Sequence, residues 1–299
     1  PLAPHRSPCM HPEFEHGQHL LSRPDQNIFW QRLKRHGAQG GRRLLMLHGA
    51  GVAGTLTWAP LVGHLTAHDE LIIPDLRGMG QTPAPQGGEP PFTLEQVVED
   101  VMALIETQRI THFDLIGYSF GGLVAMRLVQ RLRAERPEVK VGDISLLEPA
   151  LLERECHATM LKVRDGYAEA ARAMHEASSP KAGITAFLDL ISPHRTRNPR
   201  AERMMVARLA HRHLGFANAL DCVTHAVREI DREALLADVL ASGSEVRSLV
   251  GGKSPQTLRD YHSLLAERHA GWQSLEIPGT DHSLPFQKPR RIGAELSFT

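Results

Sequence analysis

Cysteine is scarce in this chain of 299 residues: Cys9, Cys156 and Cys222 form an odd, widely spaced set with no C-x-x-C pair. That pattern excludes a disulfide framework as the basis of the fold and makes a reducing, cytoplasmic compartment the expectation. No apolar run approaches the roughly twenty residues that a membrane-spanning helix needs, and the N-terminus lacks the apolar core of a secretory signal. Net charge is missing too. Lys plus Arg and Asp plus Glu number 34 each, so no overall field points to nucleic acid or to a basic partner. Histidine is abundant, at 18 residues, yet pairs such as His16-x-x-His19 and His211-x-His213 stand apart from any H-E-x-x-H or Cys/His cluster. No metal site is expected from them.

What is present is an alternation of strand-like and helix-like segments. Residues 1–12 are rich in Pro and His without periodicity and read as a disordered leader. Two strands, 14–21 and 27–35, flank a Ser-Arg-Pro-Asp turn and form an antiparallel edge. Strands at 43–47, 71–73, 111–116 and 143–147 then alternate with helices at 58–65, from Thr93 onward, and at 121–132. Such alternation predicts a mostly parallel, doubly wound sheet covered by helices on both faces. Residues 151–243 interrupt it with a helical pattern broken at prolines, and the alternation resumes at 244–299. The expectation is one α/β domain, 13–150 plus 244–299, with a helical lid inserted after the sixth strand.

Gly117-Tyr118-Ser119-Phe120-Gly121 joins a predicted strand to a predicted helix. A serine on so tight a turn is held in a strained backbone conformation, and the bracketing glycines suit the crowding of strand against helix. The helix N-terminus behind Ser119 offers backbone N–H groups, Phe120 first, to an oxyanion formed when the hydroxyl attacks a carbonyl. A serine that only caps the helix is the plainer alternative.

Several motifs in order give a resemblance that covers residue 14 to the C-terminus. Leu47-His48-Gly49-Ala50 is similar to a His-Gly turn after the third strand, Asp75-Leu76-Arg77-Gly78-Met79-Gly80 to an Asp-x-Arg-Gly-x-Gly loop, and Pro278-Gly279-Thr280-Asp281-His282 to a catalytic-histidine loop. With the elbow, these resemble the α/β-hydrolase superfamily. The resemblance implies the α/β-hydrolase fold, a cofactor-free serine mechanism, His282 as general base, and Ala50 N–H as a second oxyanion donor beside Phe120. A serine hydroxyl needs such a base, and imidazole suits the task near neutral pH. His48, Asp75 and Arg77 are expected to organise their loops.

The acid departs from the family pattern. Where the resemblance places Asp in Gly-x-x-Asp, this chain has Gly251-Gly252-Lys253-Ser254. Some members carry the acid after the strand that follows the elbow, which implies Glu148 here; Asp260 is a weaker substitute. Serine at the elbow disfavours the dehalogenases and epoxide hydrolases, which attack with aspartate, and favours acyl transfer to water.

The expected function is hydrolysis of a small to medium carboxylic ester or thioester. Carbon–carbon bond hydrolysis, cofactor-free haloperoxidase chemistry and a non-catalytic ligand-binding role are the alternatives. Trp58 and Leu284, with Phe120, are expected to line an apolar acyl pocket. Arg195, Arg197, Arg200, Arg203, Arg208 and Arg212 crowd the helical insertion. They read as a solvated basic face, or alternatively as the recognition site for an anionic or carrier-bound substrate.

Overall fold

The computed structural model describes residues 11–176, 179–195 and 197–296. Most of the expected leader, residues 1–10 with Cys9, lies outside the described residues.

The chain opens with β1 (Phe14–Ser22) and β2 (Asn27–Arg35), paired antiparallel. Then follow β3 (Arg43–Leu47), α1 (Gly54–Val62), β4 (Glu70–Pro74), α2 (Leu94–Thr107), β5 (His112–Tyr118), α3 (Phe120–Glu135) and β6 (Lys140–Leu147). Five helices come next: α4 (His157–Glu176), α5 (Lys181–Ile191), α6 (Pro199–Ala210), α7 (His213–Glu229) and α8 (Arg232–Ala241). The sheet is completed by β7 (Val246–Gly251), α9 (Gln256–Arg268) and β8 (Trp272–Ile277), before the short α10 (Leu284–Gln287) and α11 (Pro289–Glu295). The eight strands lie in the order β1-β2-β4-β3-β5-β6-β7-β8, parallel from β4 to β8.

Alternate side chains of a strand point to opposite faces, and here each face has its own core. Leu45 and Leu47 of β3 join α2, α3, α8 and α9 on one side. Leu44 and Met46 join α1, α10 and α11 on the other. α2 shows how local sequence sets an element. Its apolar stripe, Val97, Val98, Val101, Leu104 and Ile105, is buried, and Thr93 and Gln96 close a reciprocal capping box at its start.

The insertion is divided between two places. Helices α4 to α7 share a third apolar cluster built from Ala171, Met174, Phe187, Leu209 and Phe216. α7 bridges the two, burying Ala219, Cys222, Val223, Ala226 and Val227 in the main core, and α8 buries Leu235, Leu236 and Val239 there beside α3, with no residue in the third cluster. Residues 232–241 therefore form the crossover helix between the parallel neighbours β6 and β7, and not part of the raised block. Gly215 fixes that block to the loop after β4: a Cβ there would lie 1.7 Å from the Gly78 carbonyl oxygen. Arg212 reinforces the junction through Glu89 and the carbonyls of Gly80 and Thr82.

Candidate active site

Ser119 sits between β5 and α3 with φ 53° and ψ −114°. A non-glycine residue in such a conformation costs about 1–3 kcal/mol and persists where its surroundings dictate it. Here the surroundings leave no room. A Cβ at Gly121 would fall 2.1 Å from the Leu47 carbonyl oxygen, and one at Gly117 would fall 2.5 Å from that of Gly121. Ser119 N–H donates to Leu147 O, while Ser119 O accepts from Gly122, Leu123 and Ala150. Neighbouring strand and loop thus hold the turn from both sides.

His282 and Glu148 complete a chain of hydrogen bonds that starts at this serine. His282 Nε2 is 3.0 Å from Ser119 Oγ, and His282 Nδ1 is 3.0 Å from Glu148 Oε1. Glu148 follows β6 with φ 39°. Its second oxygen accepts from Gly251 N–H at 2.7 Å and from the Ser254 hydroxyl at 2.6 Å. Ser254, at the position where the family pattern places the acid, therefore donates to Glu148. Burial alone would push the Glu148 carboxyl upward. The hydrogen bond and charge of His282, with the donors Ser254 and Gly251, outweigh it and hold the carboxyl below its ordinary range. Gly251 permits the approach of the two loops, since a Cβ there would lie 2.6 Å from Thr280 O and 2.7 Å from Asp281 O.

Tyr118 touches His282 twice, a contact that the motif reading passed over. Its hydroxyl donates to the His282 carbonyl at 2.8 Å, and its ring lies 5.5 Å from the imidazole. It occupies the first variable place of the elbow pentapeptide, where sequence alone gives no signal of which direction the ring takes. Asp260 remains on α9, accepting from Gln256 at 2.6 Å, away from the histidine.

The loop residues are organised as expected. Buried His48 donates through Nδ1 to Gly49 O and accepts at Nε2 from Leu76 N–H. Asp75 accepts from Gly54 and Gln81 N–H, and Arg77 is held by Asp25 and Asp100. These buried groups give stability a pH dependence. Burial pushes His48 and His262 down to about 4 and Asp75 up to about 6. Below their ordinary pKa near 6.5 the histidines take up protons in the unfolded chain but stay neutral in the fold, so stability drains as pH falls toward 4. Asp75 works in the opposite sense, because the folded state binds its proton first. The net expectation is a loss of roughly 2 kcal/mol between pH 7 and pH 5, read from urea unfolding midpoints. An unchanged midpoint would contradict it.

Ser119, Phe120, Glu148 and His282 border one cavity of about 330 Å³, together with Gly49 and Ala50. Its upper wall comes from α4 to α7, with Tyr167, Phe187, Leu188, Leu209 and Leu220. Two expected lining residues are elsewhere. Trp58 and Leu284 are both 0% exposed, because α1 and α10 bury these side chains in the second core against β-strand residues such as Met46 and Ile73, and neither borders the cavity. Among the insertion arginines, Arg195 pairs with Asp189 and Glu202, Arg197 with Asp189, and Arg212 with Glu89. Arg195 and Arg208 border the cavity, while Arg200 and Arg203 are exposed.

Residues 44–295 match the sequence profile of the alpha/beta hydrolase family. The chain belongs to that family. Along nearly its full length it is similar to Lipase LipV of Mycobacterium tuberculosis, 28% identical over 271 residues, 88% of this chain and 95% of that protein. A shorter match, 28% over 98 residues, is to 2-hydroxy-6-oxo-2,4-heptadienoate hydrolase of Pseudomonas putida and spans 32% of this chain and 35% of that one. Among solved structures, the enol-lactonase from Burkholderia xenovorans superposes with a TM-score of 0.67 at 20% identity, covering 93% of this chain and 98% of that chain. Such likeness shows the fold of this hydrolase family member. Among the described residues no helix is long and apolar enough to cross a membrane.

Proposed function

We propose that this family member is a serine hydrolase that cleaves a small to medium carboxylic ester or thioester through an acyl-enzyme on Ser119. The observation that carries the reading is the continuous 3.0 Å contacts from Ser119 Oγ through His282 to Glu148 at the floor of a largely apolar cavity. His282 Nε2 takes the serine proton as Oγ attacks the carbonyl carbon. The resulting oxyanion receives N–H bonds from Ala50 and Phe120, neither of which donates to another backbone group among the described residues. The imidazolium then returns the proton to the leaving alcohol or thiol. Water, activated by the same nitrogen, releases the acid. Glu148 fixes the imidazole tautomer and balances its charge, which supplies the carboxylate missing at Ser254 and supports the catalytic reading over the non-catalytic one. Helices α4 to α7 act as the lid, and no cofactor takes part.

A second reading is hydrolysis of a carbon–carbon bond beside a carbonyl, supported by the similarity to 2-hydroxy-6-oxo-2,4-heptadienoate hydrolase. A panel of 4-nitrophenyl esters, acyl thioesters, lactones and vinylogous diketones separates the two. Turnover of esters or thioesters, lost in Ser119→Ala, supports the first; turnover of diketones alone supports the second.

A further inference from the structure

Arg164 of α4 is 5% exposed and borders the cavity. Its guanidinium lies over the Tyr167 ring, 4.3 Å from the centroid. Its polar contacts are long: Nη1 is 3.5 Å from Glu153 Oε1, and Nη2 donates to Leu220 O at 3.4 Å. Nε has no partner, and neither has Glu153 Oε2. Arg77 shows how the same chain treats an equally buried arginine whose work is structural. There Nε reaches Asp100 at 2.6 Å, and Nη2 reaches Asp100 at 3.0 Å and Asp25 at 2.9 Å. A buried guanidinium with five N–H donors is costly unless acceptors saturate it, so Arg164 stands out as unfinished.

The surroundings of Arg164 point to the missing acceptor. Ser192 Oγ and Arg195 Nε, on residues that also border the cavity, are buried without partners. Arg154 and Arg208 border it as well. Of the bordering carboxylates, Glu148 is engaged with His282, and Asp281 accepts from Ser283 N–H. Glu153 approaches only the Nη1 corner of Arg164. Arg195 Nη1 and Nη2 are already paired with Asp189 and Glu202, so the unsaturated donors of this wall centre on Arg164 Nε, Arg195 Nε and Ser192 Oγ, with apolar Phe187, Leu188 and Leu220 lining the same space.

We propose that this wall is a subsite for a second carboxylate on the substrate, read by Arg164, so that the preferred substrate is the half-ester or half-thioester of a dicarboxylic acid. The inference rests on the ester-hydrolase reading and names its substrate class. A planar carboxylate presents paired oxygens that a guanidinium fork accepts two at a time, and the methylenes between the two carbonyl carbons suit the apolar lining. Recognition inside a cavity also differs from attraction by the exposed Arg200 and Arg203, since added salt screens exposed charges far more than buried ones.

The test compares mono-4-nitrophenyl glutarate with 4-nitrophenyl methyl glutarate, which differ only in capping of the far carboxylate. The expected kcat/KM favours the free acid by about tenfold or more, chiefly through KM, as a charge-assisted hydrogen bond implies. In Glu153→Gln/Arg164→Met, which removes both charges and leaves neither unpaired, the preference should fall to about twofold or less while turnover of the capped ester persists. A wild-type enzyme that hydrolyses both esters equally overturns the subsite and leaves the ester-hydrolase reading intact. Hydrolysis of neither overturns both. Binding gives an independent readout: monomethyl glutarate should raise the melting temperature of Ser119→Ala, and dimethyl glutarate should not. Equal stabilisation by the two would also overturn the subsite.

Discussion

Replacing His282 by alanine is expected to lower kcat by about 10⁴ to 10⁶, with the protein still folded. The size of the effect follows from what the imidazole does. Among the described residues, His282 Nε2 is the basic nitrogen in hydrogen-bond contact with Ser119 Oγ, at 3.0 Å, and in the proposed mechanism every proton that leaves or returns to the reacting oxygen passes through it. The His282 side chain is 18% exposed and borders the cavity, so truncation enlarges that cavity and leaves the apolar cores closed. Wild-type kcat/KM should also fall on acidification, since an imidazolium cannot accept the serine proton. Circular dichroism of both proteins, recorded beside the kinetics, separates lost chemistry from lost fold. A pH profile that stays flat from pH 8 to pH 5 on a chemically stable ester, with the fold intact, would remove His282 from the role of base.

The second large effect concerns Glu148. Glu148→Gln keeps the side-chain size but removes the charge facing His282 Nδ1, and kcat should fall by about 10² to 10⁴ with KM little changed. The neighbouring serine sharpens the test. Ser254 Oγ lies 2.6 Å from Glu148 Oε2, so Ser254→Asp in the wild-type background places two carboxylates in contact. One of them must hold a proton or be expelled, and activity should drop. In the Glu148→Gln background the same Ser254→Asp supplies an anion at the histidine's back and should recover about tenfold or more of kcat. Opposite signs in the two backgrounds are the signature of a carboxylate moved between two positions. Near wild-type kcat in Glu148→Gln would place the acid elsewhere.

Legibility in the sequence followed the physical range of each signal. Strand–helix alternation is a local property, and it marked the antiparallel edge at 14–35, the elbow and the strands of the parallel sheet within three residues of their structural bounds, the largest slip being β6, which starts at Lys140 and not at Asp143. Gly117 is crowded by the helix that follows it, at Gly121 O, whereas Gly121 meets Leu47 O of a strand distant in sequence and was legible only as part of the pentapeptide pattern. The division of 151–243 was not legible, because α8 carries the same helical periodicity as its predecessors and only packing against α3 places it in the core. Trp58 and Leu284 failed for a related reason. Proximity in sequence to the His48 turn and to His282 says nothing about which core a side chain joins, and both are buried in the second. The cavity's upper wall, Arg164 and Tyr167 included, comes from helices without any motif, and its assembly depends on contacts between residues far apart in the chain. Ser254 gave a sequence signal of absence only; its hydrogen bond to Glu148 needed the two loops brought together.

Covalent labelling tests whether Ser119 is an activated nucleophile without knowledge of the natural substrate. Native protein is treated with a fluorophosphonate, digested, and the modified peptide located by mass spectrometry. A single adduct on Ser119 is expected, formed quickly in wild type, strongly slowed in His282→Ala and absent in Ser119→Ala. An adduct on another serine, or no adduct in a preparation that hydrolyses esters, would contradict it.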